Sequence, residues 1–168
     1  MATYQFVSVT CITPSTGVSG IATKVISTIG SVVGGAVAGS LSALTGPGAV
    51  FIGGAGSVAG GILGTGVGSL LQDLGQMLPD NLYIEVDRQK VWPTNAKYEN
   101  IKAGEKETPS IKGQFNSPVR ITLKEWDVFG DDNLGEFIIN PATTGNGLTY
   151  LVANPKEGDV YEVVLNIS

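Results

Sequence analysis

The feature that most constrains this chain is a run of 48 residues, Val25 to Gln72, without one charged side chain. Glycine is frequent in the run, and Gly46-Pro47-Gly48 interrupts it near its centre. As helices, segments 25–45 and 49–72 would be about 31 and 36 Å long at ~1.5 Å per residue. Either length is enough to cross the ~30 Å apolar core of a bilayer. The run therefore predicts two helices joined by a tight turn, which together form a helical hairpin.

Small residues recur along this run at a spacing of four. Residues four apart lie on one face of a helix, and small side chains there let a second backbone approach closely. The positions predicted to pack in the membrane and between subunits are Gly30, Gly34, Gly35, Gly39, Gly56, Gly60, Gly64 and Gly68. Each glycine costs about 1 kcal/mol relative to alanine in an aqueous helix, so lipid or dense packing has to offset that cost. Membrane insertion is the prediction; a soluble glycine-zipper hairpin or oligomer core, and irregular structure, stay open as alternatives.

The charged residues of the chain are concentrated after this run. Residues 1–75 contain one cation, Lys24, and one anion, Asp73, so the net charge of −5 lies in the C-terminal part. Nucleic-acid binding needs clustered cations and is not expected. Because the chain has no histidine and a single cysteine, Cys11, it has no His-based triad, no His zinc site and no internal disulfide. We predict neither an enzyme nor a small-molecule substrate.

The remainder of the chain has the pattern of short strands separated by turn residues. Eight strands are predicted, at residues 3–12, 82–87, 97–101, 110–115, 119–126, 135–140, 148–152 and 159–167. That number suits an antiparallel sandwich. The predicted fold class is α+β: residues 3–12 and 79–168 form an eight-stranded antiparallel sandwich, and residues 16–78 form the hairpin, inserted between strands one and two.

The stretch from Ile121 to Glu136 resembles the signature of C2 domains. Two acidic residues two positions apart are followed by Phe129-Gly130, two aspartates, Leu134-Gly135 and a returning strand. Upstream, residues 78–86 are similar to the exit from the first calcium loop of that family. The resemblance implies a C2-like sandwich that binds calcium between its loops and docks on phospholipid. The calcium ligands that it implies are Asp80, Asp127 and Asp132, followed by Glu125 and Asp131. A turn capped by its own aspartate side chains is the alternative for residues 131–132.

These features together predict a membrane-inserting, pore-forming, toxin-like protein. In this hypothesis the C2-like domain docks on a lipid bilayer, and the hairpin inserts and forms a homo-oligomer. The alternatives are a soluble glycine-zipper assembly that displays the sandwiches as binding heads, and a lipid adaptor with a permanent hairpin anchor. The first residues show no signal-peptide pattern. We therefore expect export or delivery by a non-classical route, with the protein soluble until it reaches its target membrane.

Overall fold

The computed structural model describes residues 1–15, 25, 47–53 and 78–168. Within these residues the secondary-structure elements are eleven β-strands, and every pairing between them is antiparallel. In chain order the strands are β1 (Ala2–Thr13), β2 (Gly48–Gly53), β3 (Asp80–Val86), β4 (Gln89–Trp92), β5 (Glu99–Ile101), β6 (Lys106–Glu107), β7 (Lys112–Phe115), β8 (Val119–Glu125), β9 (Asp132–Ile139), β10 (Gly145–Asn154) and β11 (Asp159–Ile167). They form two sheets.

The first sheet has six strands, in the order β2-β10-β11-β1-β6, with β7 also paired to β1. Strand β7 pairs with the first half of β1, from Ala2 to Gln5, and β6 pairs with Val9 and Thr10 on the same side. Strand β11 occupies the other side of β1 along nearly its whole length. The central pair of this sheet therefore joins segments that are about 150 residues apart in the sequence.

The second sheet has five strands, in the order β4-β3-β8-β9, with β5 also paired to β3. Strands β3 and β4 are joined by a two-residue turn at Asp87 and Arg88, both of which have positive φ. Strand β8 pairs with β3 from Leu82 to Val86 and places Glu125 directly opposite Leu82. The β8–β9 loop, residues 126–131, thus emerges beside the beginning of β3.

The core lies between the two sheets. In β1 the side chains of Tyr4 and Phe6 are buried and those of Thr3 and Gln5 are exposed, the alternation of a strand with one face in the core. Apolar side chains of β3, β8, β9, β10 and β11 join those of β1 in a single buried cluster. The two sheets therefore pack face to face as a sandwich.

At one side of the sandwich the backbone of β9 comes close to β2 and β10. Gly135 has φ +152°, and a Cβ placed there would lie 2.3 Å from Cγ1 of Val152 and 2.9 Å from the carbonyl oxygen of Gly48. A side chain at this position would overlap both neighbours, so glycine allows the edges of the two sheets to meet.

The predicted fold class is wrong in its helical hairpin. Residues 48–53, which were assigned to the turn and to the start of the second helix, form strand β2 and pair with β10. The physical reason lies in Val50, Phe51 and Ile52, whose branched or aromatic side chains favour strands. The edge of β10 supplies these residues with backbone hydrogen-bond partners that a sequence-local argument does not contain.

The other predictions for the fold have different outcomes. Each of the eight predicted sandwich strands overlaps a strand of the structure, and β4 and β6 were missed along with β2. The predicted packing glycines at positions 30–39 and 56–68 lie outside the described residues. In the part of the chain that the structure describes, no helix is long and apolar enough to span a membrane.

Candidate functional site

Several loops meet at one end of the sandwich, which we call the apical end. It consists of residues 14–15, 78–80, 126–131 and 154–158. Hydrogen bonds hold these loops together: the Trp126 amide donates to the Asn81 carbonyl at 2.9 Å, and the Asn154 side-chain amide donates to the Asn133 carbonyl at 2.9 Å. The end that the β8–β9 loop occupies is therefore also the end where β1 finishes and β3 begins.

A single carboxylate joins the two positions that flank residues 16–77. The backbone amide of Ser15 donates to both oxygens of Asp80, at 2.9 and 3.0 Å. The hydroxyl of Tyr161 donates to the same carboxylate, and both Asp80 and Tyr161 are buried. We call Asp80, Ser15 and Tyr161 the Asp80 clasp. Because Ser15 is bonded to Asp80 and Leu78 precedes it by two residues, both residues that border positions 16–77 lie at the apical end.

The acidic residues around the clasp have perturbed acidities. Burial raises the pKa of Asp80 from 3.8 to about 6, although the hydrogen bonds from Tyr161 and Ser15 act in the opposite direction. The pKa of Glu125 is raised from 4.5 to about 7, first by burial and then by the negative charges of Asp80 and Asp132. Burial also raises the pKa of Asp159 well above 3.8. These carboxyl groups take up protons at a milder pH than exposed ones.

The five predicted calcium ligands all lie at or beside the apical end, but they divide into two groups. Asp80 and Asp132 are close enough to Glu125 that their charges act on it, and Asp132 is the register partner of Glu125. Asp127 and Asp131 are exposed in the β8–β9 loop, where the Asp127 amide donates to Oδ1 of Asp131 at 3.2 Å.

Protein donors already use much of the oxygen capacity of these side chains. Both oxygens of Asp80 accept hydrogen bonds in the clasp, and Oδ2 of Asp131 accepts one from the hydroxyl of Tyr83 at 2.7 Å. Among the described residues, no three His, Cys, Asp or Glu side chains converge as a metal site would require. Calcium binding stays a prediction of the C2 resemblance, and we derive no step through a metal.

The β8–β9 loop presents large apolar side chains to solvent. Val128 is 73% exposed and Phe129 is 98% exposed, and Leu78, two residues before β3, is 84% exposed. The loop is folded back on itself, since Oδ1 of Asp127 accepts a hydrogen bond from the Phe129 amide at 3.3 Å and Gly130 has φ +137°. We call Leu78, Val128 and Phe129 the apolar tip.

Sequence reasoning missed the exposure of this tip. Phe129 was interpreted as part of the turn signature, because the pattern alone does not say which way its ring points. An available signal was the placement of two adjacent apolar residues between aspartates, in a stretch too short to be a strand.

No protein-family model matches the chain, and neither a curated protein nor a solved structure was found that matches it significantly. The resemblance to C2 domains therefore rests on the residues quoted above and on no whole-chain similarity.

Proposed function

We propose that the protein permeabilises lipid bilayers and meets them with its apical end. The observation that supports this proposal is that two features of the chain lie at the same end of the sandwich. The residues that border positions 16–77, Ser15 and Leu78, lie at the same end of the sandwich as the exposed tip residues Val128 and Phe129. A protein that binds with this end brings both borders of the segment that contains the charge-free run to the membrane.

The apolar tip provides the first contact. An exposed phenylalanine or valine gains about 1.5–3 kcal/mol when it is fully buried in an apolar phase. Phe129 is 98% exposed and Val128 is 73% exposed, so docking can bury most of each side chain and provide most of that gain. The surrounding aspartates oppose simple attraction to anionic lipid, so the proposed target is a bilayer with little net charge.

The charge-free stretches on both sides of β2, residues 25–47 and 54–72, provide the permeabilising element. A charged residue at the centre of a bilayer costs at least about 2.5 kcal/mol, and the run from Val25 to Gln72 has none. The small residues that recur along the run would let the backbones of several copies approach closely in lipid, which favours assembly over a single inserted chain. The proposed active form is accordingly a homo-oligomer in the membrane.

Leakage of a trapped dye from phosphatidylcholine vesicles tests the proposal, with a matched pair of variants. Phe129→Ser removes an apical apolar side chain, and Ile138→Ser removes one that is 51% exposed on β9, away from the apical end. We expect Phe129→Ser to lose most of the leakage and Ile138→Ser to keep it. Equal leakage by the two variants would refute apical docking.

The competing candidate is the soluble assembly. It predicts that the protein stays in the aqueous phase when vesicles are floated through a density gradient, and that no dye is released. Flotation without dye release would instead favour a lipid adaptor.

A further inference from the structure

A polar groove lies on the outer face of the second sheet, immediately beside the apolar tip. Its volume is about 780 Å³, and it runs between loop 93–98 and the β8–β9 loop. The residues that give it its chemistry are Tyr83, Glu85, Lys90, Lys97, Trp126 and Asp131. One wall is therefore the same loop that exposes Val128 and Phe129.

Trp126 forms an aromatic wall of this groove. Its ring stacks on that of Tyr98, with centroids 5.2 Å apart and an angle of 23° between the ring planes. The ammonium of Lys97 lies 5.0 Å from the centroid of the Trp126 ring. That separation is within the range in which a cation is attracted by the electrons of an aromatic face. The ring already attracts a cation of the protein itself.

Two acidic residues, Glu85 and Asp131, line the groove together with this ring. Asp131 accepts the hydrogen bond from Tyr83, and Glu85 is the cross-strand partner of Lys90. Burial raises the pKa of the Tyr83 hydroxyl, and the hydrogen bond to Asp131 and the charges of Asp131 and Glu85 raise it further, which places both carboxylates near that hydroxyl. In the part of the chain that the structure describes, neither Glu85 nor Asp131 forms an ion pair, and the pair Arg120–Glu136 lies outside the groove.

The opposite wall contains one fixed and one free ammonium. The Nζ of Lys90 donates to the carbonyl oxygens of Pro93 and Ala96, at 2.5 and 2.6 Å, and so holds loop 93–98 in place. Lys97 is exposed and its described partner is the Trp126 ring. The groove thus combines an aromatic face and two carboxylates with an exposed positive charge.

We propose that this groove binds the phosphocholine headgroup of a membrane lipid. The quaternary ammonium would replace the Lys97 ammonium on the face of Trp126, with the charges of Glu85 and Asp131 beside it. Lys97, once displaced, would pair with the lipid phosphate. Aromatic faces together with carboxylates are suited to a choline cation, which is bulky and has no hydrogen to donate.

The position of the groove favours a lipid over a free metabolite. Trp126 lies three residues before Phe129, so a headgroup in the groove would lie next to side chains that enter the acyl region when the tip docks. This inference rests on the proposed function for its membrane, and it adds a choice of lipid to it.

The test is a titration of the full chain with soluble phosphocholine, followed by NMR. The chain has two tryptophans, so the indole N–H signal of Trp126 can be compared with that of Trp92 in the same spectrum. We expect phosphocholine to shift the Trp126 signal and to leave the Trp92 signal unchanged. A Trp126 signal that does not respond would overturn the proposal.

Three variants test which residues of the groove contribute to binding in this titration. Glu85→Gln removes a groove charge and should weaken binding about three- to tenfold, whereas Glu99→Gln, outside the groove, should not change it. Lys97→Gln frees the Trp126 ring, so choline alone should bind more tightly. The same change removes the partner of the phosphate, so phosphocholine should no longer bind more tightly than choline does. Equal effects of Glu85→Gln and Glu99→Gln, or weaker choline binding by Lys97→Gln, would argue against the assignment.

Binding to vesicles shows whether the headgroup belongs to a membrane lipid. Together with dye release, it distinguishes this inference from the proposed function. Phosphatidylcholine vesicles should bind the protein more tightly than phosphatidylethanolamine vesicles, and Glu85→Gln should reduce that preference. Equal binding to both lipids, or binding of soluble phosphocholine without preference among vesicles, would overturn the lipid assignment. Dye release with no response at Trp126 would refute the groove and leave the proposed function standing. A Trp126 response and a preference for phosphatidylcholine, without dye release, would support the groove and refute the proposed function.

Discussion

Replacing Asp80 by asparagine should flatten the pH dependence of the protein's stability. Asp80 is buried, and its pKa is raised from 3.8 to about 6. Folding therefore favours the protonated form of this carboxyl group. Its contribution to stability is fully present below about pH 4 and is lost as the pH rises through about 6.

The size of the effect follows from the two pKa values. A rise from 3.8 to about 6 means that the folded state disfavours the ionised Asp80 carboxylate by about 3 kcal/mol. Linkage places about 1 kcal/mol of that loss between roughly pH 5 and pH 7. The charge of Asp80 also helps to raise the pKa of Glu125, so Asp80→Asn should reduce the contribution of Glu125 as well.

Urea unfolding near pH 5 and near pH 7 measures this contribution. Between these pH values, the wild-type protein should lose at least about 1 kcal/mol more unfolding free energy than Asp80→Asn does. Asp127→Asn, which changes an exposed aspartate of the same end, serves as the control and should keep the wild-type pH dependence. If Asp80→Asn keeps the wild-type pH dependence, the carboxylate is not held in the buried environment that the clasp implies.

Three further predictions concern the sheet edges, the clasp and the tip. Gly135→Ala should lower the unfolding free energy by at least about 2 kcal/mol, because its Cβ would overlap Val152 and Gly48. Gly104→Ala, at a position with φ +82° and no neighbour within 4 Å, should lose less, and equal losses would remove the argument from packing. Tyr161→Phe deletes a donor to Asp80 and should cost about 1–3 kcal/mol in urea unfolding at neutral pH; an unchanged midpoint would count against the clasp. Phe129→Ser should leave stability within about 0.5 kcal/mol, since the ring is 98% exposed, and a larger loss would show that the ring packs on the protein.

The strands of the sandwich could be predicted because their signal is local. Stretches such as 159–167 and 119–126 combine β-branched residues with turn residues at both ends, which is enough to place β11 and β8. Strand β4 was missed because Gln89-Lys90-Val91-Trp92 is short and polar at its start. Strand β2 was missed because its glycine-rich neighbourhood favoured a helical interpretation, and its hydrogen-bonding partner is 100 residues away in β10.

The candidate site could be predicted in part. The acidic residues at 80, 125, 127, 131 and 132 do lie at one end of the fold, as the loop positions suggested. Their partners could not be foreseen, because Tyr161 is 81 residues from Asp80 and reaches it across the sandwich, from β11 in the first sheet to β3 in the second. The groove combines β3 with two separate loops, and no local pattern in the sequence predicts that they come together.

The measurement that tests the account most directly is dye release from phosphatidylcholine vesicles by the unaltered protein, over a range of protein concentrations. It should be run with calcium and with a chelator, because calcium binding is still a prediction. The account predicts release that rises more steeply than linearly with protein concentration, as expected for assembly of several copies. A folded protein that releases no dye under either condition, and stays in the aqueous phase, would contradict the proposed function.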